Sequence, residues 1–301
     1  MTKSMSWTQI ADLAALDRMP TVLKAIDPVA PKVWRRRSVR LLTTLFEELC
    51  SLTEVSTLIE CGAHGAETSQ RFVERTENGR AIALEANPYT FAAKTGRVAS
   101  DRLIPIAEGI GEFPGELIFH IPETSDGDLM PEYAGFFPWP DASVQEALPV
   151  RITTLDELSE RFDLSKPVAL WVDVEGMARE VFAGGKQSLQ NVLIALVEVE
   201  PEARWEGSAT ESEVTELLKS HGFIPVARDF PSPRYFNALY LKAEAVEQSQ
   251  LLLQRFWDEV LQRPARRDLI RARAEKARKM GRWGYLKFRA RLLLGLSRPR
   301  P

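Results

Sequence analysis

Short apolar runs rich in β-branched residues recur along this chain, separated by stretches whose apolar positions fall every three to four residues. The runs are STLIEC (56–61), RAIALEA (80–86), DRLIPIAEG (101–109), GELIFHI (115–121), PVALWVDV (167–174), NVLIALVEVE (191–200), HGFIPVARD (221–229) and YFNALYLKA (235–243). Each has the length and composition of a strand. Between several of them lie helical patterns: NPYTFAAKTGRVA, GMAREVFAGGKQSLQ and ESEVTELLKSHG. Apolarity is continuous rather than alternating in VALWV and VLIALVEV, as expected of strands covered on both faces. The pattern therefore predicts an α/β fold around a largely parallel sheet, with helices on both faces.

Outside this region the periodicity is helical throughout. SWTQIADLAALDRM and SVRLLTTLFEELCSL read as helices, with Pro28 and Pro31 breaking the chain between them. Three regions result: a helical extension over 1–52, an α/β domain over 53–245, and a helical appendage over 246–301. The stretch from Pro122 to Pro149 holds five prolines and reads as a long ordered loop inside the α/β domain.

Composition narrows the class only slightly: at 301 residues, 45% hydrophobic and 27% charged, this is an ordinary globular chain. Two cysteines make no disulfide framework, and Cys61 reads as a small buried hydrophobe. No signal-peptide pattern and no membrane-length apolar window are seen, so a cytoplasmic protein is expected. Charge changes the picture more. Residues 263–301 carry 14 of the 39 basic residues and 2 of the 42 acidic ones. The acidic remainder is unsuited to gripping nucleic acid over a broad face. The basic, aromatic-bearing tail, with Trp283, Tyr285, Leu286 and Phe288, suits either an anionic membrane surface or docking on its own acidic body. RNA contact is a lesser option.

Candidate chemistry collects at the strand ends. Glu60, Glu85, Glu108, Asp173 with Glu175, and Glu198 with Glu200 each close an apolar run. In an open parallel sheet ligands bind beyond the carboxyl ends of the strands. Glu85 lies 25 residues after Glu60, where a nucleotide-binding fold places an acid to accept hydrogen bonds from ribose hydroxyls. The turn ECGAHGAE has two glycines rather than the three of a dinucleotide fingerprint, and Glu60 precedes it. A carboxylate there is awkward for pyrophosphate and favourable for a sulfonium, which points to S-adenosylmethionine over NAD.

The succession IECGAHGAETSQRF, AIALEANPYTF, ITTLDEL, VALWVDVEGMAREVFAGG, LVEVE and LLKSHGF resembles the FkbM-type methyltransferase family from about Thr57 to Lys242. The resemblance implies a Rossmann-like class I methyltransferase sheet, S-adenosylmethionine as donor, and O-methylation of a hydroxyl on a sugar or secondary metabolite. Residue by residue, it assigns Glu60 and Gly62, with Ala63 and Gly65 in the same turn, to the donor's methionine end. It assigns Glu85 to the ribose and Asp173, Glu175 and Gly176 to the DVEG motif; Glu108, another strand-end acid, joins the donor-binding candidates. The chain departs from the family at five positions. The family usually has Asp at Glu60, Asn and Gly at His64 and Ala66, Lys at Trp171, and an acid at Ala178. With Ala at 66, Gly65 is expected to serve the tight turn.

Methyl transfer to an alcohol needs positioning and removal of the hydroxyl proton. Asp173 or Glu175 would act as base, or both would hold a divalent metal; alternatively DVEG caps the following helix. Their side chains share a face only if the strand continues through Val174. His64, inside the glycine turn, is the other candidate base. His120 and His221 have poorer settings, and neither zinc-ligand spacing nor a G-x-S-x-G elbow is present. Tyr133, Phe136, Phe137 and Trp139 form either a lid over an acceptor or an aromatic anchor for their own loop. Two other functions are compatible with these residues: an NAD-type oxidoreductase, and a non-catalytic methyltransferase-like interaction module.

Overall fold

The computed structural model describes residues 8–123, 130, 134–138, 145–164 and 167–293. By internal contacts it divides into two compact units, Leu42–Gln254 and a helical unit formed by Met1–Leu41 and Arg255–Pro301.

The first unit is built on a seven-stranded sheet. Its strands are β1 (Thr57–Cys61), β2 (Arg80–Leu84), β3 (Leu103–Ile106), β7 (Val168–Val172), β8 (Val192–Val199), β9 (Phe223–Arg228) and β10 (Phe236–Lys242), in the order β3-β2-β1-β7-β8-β10-β9. Pairing is parallel from β3 to β8, and β10 runs antiparallel between β8 and β9. The continuous apolarity of VALWV has its expected cause: Leu58, Ile59, Leu170 and Ala195 are all buried in a sheet covered on both faces. Both edge strands carry a proline, Pro105 in β3 and Pro225 in β9, which blunts them against further pairing. Strand order reverses between β1 and β7, and a crevice opens at that switch point.

Helices follow the strands with legible local signals. α3 (Glu67–Arg75) follows β1, and α4 (Pro88–Ala93) starts on an Asn87 cap with proline in the first turn. α5 (Leu155–Phe162) is capped by Thr154, which takes the Glu157 N–H at 3.0 Å. α6 (Ala178–Ala183) follows β7, and α7 (Glu211–Ser220) begins on a full capping box between Thr210 and Glu213.

Two expectations need correction. GELIFHI is a strand, β5 (Gly115–Pro122), but it lies outside the main sheet, in a three-stranded sheet of order β4-β6-β5 with β4 at Gly109–Ile110. The stretch before Pro149 is not loop to its end, because β6 runs Gln145–Thr153 straight through that proline. Pro149 faces Ile118 of β5, whereas β4 reaches only Ile152 and Thr153. At Pro149 one side of β6 therefore has no ladder, and a missing N–H is tolerated there. This small sheet buries Phe119, Ile121 and Val150 as a core of its own.

In the helical unit, α1 (Thr8–Ile26) and α9 (Arg266–Leu293) join the outer parts of α2 (Ala30–Leu52) and α8 (Ala243–Leu261). Buried Trp34 donates its indole N–H to the Val260 carbonyl at 2.8 Å, and buried Asp27 takes Arg273 of α9. Gly281, at φ 68°, interrupts α9. The side chains of Trp283, Tyr285 and Phe288 lie outside the described residues. Among the described residues no helix is long and apolar enough to cross a membrane.

Candidate active site

The turn after β1 is stitched to the end of β2. Gly62 and Ala63 both donate their N–H groups to the Leu84 carbonyl, at 3.0 and 2.8 Å. His64 N–H donates to Glu85 Oε2 at 2.7 Å, and Asn87 N–H to Glu85 Oε1 at 2.8 Å. Both oxygens of this buried carboxylate are thus anchored by backbone, each with a lone pair left over. Burial still pushes the Glu85 carboxyl above its ordinary range.

Glu60 is oriented differently from expectation. Its Oε2 accepts the Ser69 N–H of α3 at 2.8 Å, and it also takes hydrogen bonds from Thr68. The carboxylate therefore occupies the N-terminus of α3, the position where a nucleotide phosphate would otherwise sit. The turn conformation also differs. Its left-handed residues are Gly62 (φ 77°), His64 (φ 49°) and Ala66 (φ 55°), and Gly65 is not among them. Ala66, where the family pattern has glycine, takes a left-handed backbone, so the left-handed turn is not displaced onto Gly65.

A second constellation forms at the tips of β7 and β8. β7 ends at Val172, and Glu175 (φ 44°) and Gly176 (φ 86°) turn left-handed. The strand does not continue through Val174, yet this turn achieves what alternation would have. Carboxylate oxygens of Asp173, Glu175 and Glu198 all lie within 4.8 Å of one another. Neither DVEG acid caps α6, whose N-cap Met177 makes no side-chain cap bond.

Crowding and burial raise the acids together. Desolvation pushes Asp173 up to about 7, with Glu175, Glu60 and Glu85 adding to it. Desolvation likewise pushes Glu198 up to about 9, with Asp173 next in weight. Glu200, buried and with Oε1 lacking a partner among the described residues, is raised to about 7 by burial first and Glu175 second. A cation answers them directly: Arg204 Nη1 lies 3.2 Å from Glu175 Oε2. Its guanidinium sits 4.5 Å from the Trp205 ring centre, and Trp205 stacks on Phe137 at 5.9 Å. By sequence Glu198 is a strand-tip acid, spaced two from Glu200 in LVEVE, and nothing local in that run sets it beside Asp173.

A cavity of about 220 Å³ joins the two constellations. Gly62, Glu85 and Glu108 line it among the expected donor-binding residues, and Glu60, Ala63 and Gly65 do not. Asp173, Glu175 and His64, the three candidate catalytic residues, all line it. The His64 ring is engaged, with Nε2 2.6 Å from Lys94 Nζ. Glu108 is paired with Arg161 at 2.8 Å and Arg151 at 3.6 Å. Trp171 packs edge-on against Phe46 of α2, ring centres 5.4 Å apart, and is not in the lining. From the aromatic loop Phe136 lines the cavity, while Tyr133 and Trp139 fall outside the described residues.

A parallel sheet with one antiparallel insertion, a backbone-anchored acid just beyond its second strand and a crevice at the switch point define a Rossmann-like α/β fold. The chain belongs to the methyltransferase FkbM domain family, whose pattern matches residues 60–225, and it is a methyltransferase. It is 28% identical over 199 residues to the hexuronic acid methyltransferase AglP of Haloferax volcanii, covering 62% of this chain and 72% of AglP. It is 23% identical over 177 residues to the 2-O-methyltransferase NoeI of Sinorhizobium fredii, covering 56% of this chain and 72% of NoeI. Among solved structures, a caffeoyl-CoA O-methyltransferase homologue from Staphylococcus aureus aligns with a TM-score of 0.40 at 10% identity, over 67% of this chain and 83% of that one.

Proposed function

We propose that this methyltransferase uses S-adenosylmethionine to methylate a hydroxyl group on a saccharide or a related secondary metabolite. The observation that carries this reading is a continuous cavity running from Glu85 to the acids at the β7 tip.

The residues fit such a donor. Glu85 offers its spare lone pairs to a ribose diol, and the surrounding carboxylates favour a cation. They do not suit a dinucleotide. The N–H groups of Gly62, Ala63, His64 and Ala66 all donate within the protein, and Glu60 fills the α3 N-terminus, so a pyrophosphate would meet few donors. When bound, the donor supplies a methyl group made electrophilic by its sulfonium.

The protein's share of the chemistry is to orient the acceptor and take its proton. Asp173 is the best placed base: it lines the cavity, and burial brings its carboxyl to about 7, close to a working pH. Glu175, fixed by Arg204, positions; Glu198, raised to about 9, serves as a protonated neighbour that stabilises ionised Asp173. The same three oxygens also match a divalent-cation site, which would acidify the acceptor hydroxyl; activity that survives a chelator removes that variant. AglP's name specifies a hexuronic acid, which supports a sugar acceptor, and NoeI's specifies a 2-O position, which supports transfer to oxygen.

Calorimetric titration with S-adenosylmethionine and with NAD tests the reading. Binding of the first alone supports it; binding of NAD alone restores the oxidoreductase, and binding of neither leaves an interaction module. For α9, whose Arg267 and Lys279 side chains are 84% and 70% exposed, the proposal is a peripheral contact with anionic membrane. Co-sedimentation with phosphatidylserine vesicles that salt abolishes is the expected outcome.

A further inference from the structure

We propose that a second, larger cavity holds the acceptor, and that the acceptor is an acidic saccharide whose anionic group is read by Arg204 and Arg234. The proposal rests on the reading above, in which the neighbouring cavity holds the donor.

This cavity, about 670 Å³, falls within the ~300–1,000 Å³ of small-molecule sites. Its walls come from Pro201–Arg204, directly after β8, and from Ser232–Tyr235, directly before β10. β10 pairs antiparallel with β8, Phe236 opposite Val199 and Asn237 opposite Glu198. Both walls therefore stand at the same sheet end as the Asp173–Glu198 cluster. One ion pair separates the two cavities. Glu175 lines the first, Arg204 lines the second, and they meet at 3.2 Å.

The lining carries both hydrogen-bonding and cationic groups. Tyr235 brings a phenol that is raised by burial first and then by Glu198, Asp229 and Glu175. Arg204, already paired with Glu175, and Arg234 stand against a single acid in the lining, Glu202. Arg234 is exposed, and its guanidinium has no ion-pair partner among the described residues; its backbone N–H bonds Ser232 Oγ at 3.1 Å. Pro201, Pro233 and the Tyr235 ring supply apolar surface for a sugar face. A molecule presenting a hydroxyl to Tyr235 and an anion to the guanidiniums satisfies both, whereas a neutral sugar leaves Arg234 unmatched.

The test uses the full-length protein saturated with S-adenosylhomocysteine, titrated with methyl glucuronide and methyl glucoside. These differ only in carrying a carboxylate or a hydroxymethyl group. The glucuronide is expected to bind about tenfold or more tightly, the scale of one charge-assisted hydrogen bond. Arg234→Gln should erase that preference while leaving S-adenosylmethionine affinity unchanged, and Arg234→Lys should restore part of it. Methyl glucoside 6-phosphate, as a third arm, decides whether carboxylate or phosphate is preferred; either preference over the neutral sugar supports an anion site. Equal or absent binding of the three sugars, or an Arg234→Gln protein with undiminished preference, overturns the proposal. Failure of the donor reading looks different, since S-adenosylmethionine itself would then not bind.

Discussion

Gly62 lies so close to the backbone of Asp173 that a β-carbon added to it would stand 1.8 Å from the Asp173 carbonyl oxygen. The two residues end adjacent parallel strands, and Asp173 N–H in turn donates to Cys61 at 2.9 Å. This contact brings the donor turn and the proposed base to one place. Gly62 also holds φ 77°, which a β-carbon disfavours. Overpacking and left-handed strain together predict that Gly62→Ala loses at least about 3 kcal/mol of stability. Denaturant unfolding checks this; a loss under about 1 kcal/mol would mean the two tips are not packed as described.

Glu85 is the anchor proposed for the ribose. Glu85→Ala removes a carboxylate that also fixes His64 and Asn87, so donor affinity should fall by about one to two decades, from ~1.5–3 kcal/mol of charge-assisted bonding. Unchanged calorimetric affinity for S-adenosylmethionine would sink the assignment.

These two contacts show what can and cannot be read from sequence. The position of Glu85 at the cavity was legible, because a strand end at fixed distance from the first turn faces the crevice of such a sheet. The Gly62–Asp173 approach was not, since it joins residues far apart in the chain. Glu60 was assigned to the donor because strand-tip position does not say which way a side chain turns; the N-terminus of α3 competes for it. The alternation through Leu148, Val150 and Ile152 that marks β6 was present, but Pro149 outweighed it until the short reach of β4 was known. GELIFHI was identified as a strand, yet which sheet a strand joins depends on long-range pairing.

At the β7 tip the proposed base gives a sharper contrast between amide variants. Asp173→Asn should lower turnover by about two to four decades, the usual worth of a general base, with donor affinity nearly intact. Because Asp173 must be ionised to accept a proton, wild-type turnover should rise with pH through about 7 and level off above it. Glu175→Gln, which weakens the Arg204 contact, should act mainly on acceptor KM. Should both variants lose donor affinity and melting temperature in parallel, the acids are structural.

The carboxylate cluster also predicts how stability depends on pH. Glu198 titrates at about 9 when folded and near ~4.3 when unfolded. Between those values the unfolded chain is ionised while the folded site holds its proton. The raised group therefore makes its full contribution to stability below the unfolded value and loses it as pH climbs through the folded one. Glu198→Gln keeps a neutral, similarly shaped side chain among Asp173, Glu175 and Glu200 and has no proton to lose. Its melting temperature should match wild type near pH 5 and exceed it increasingly toward pH 9. Each ~1 kcal/mol regained corresponds to about 2–4 °C in a domain of this size. Scanning calorimetry from pH 5 to 9 measures the difference. A gap that stays constant with pH, or a variant less stable throughout, would show that Glu198 is already ionised in the fold, and that Asp173 has no protonated neighbour to support its charge.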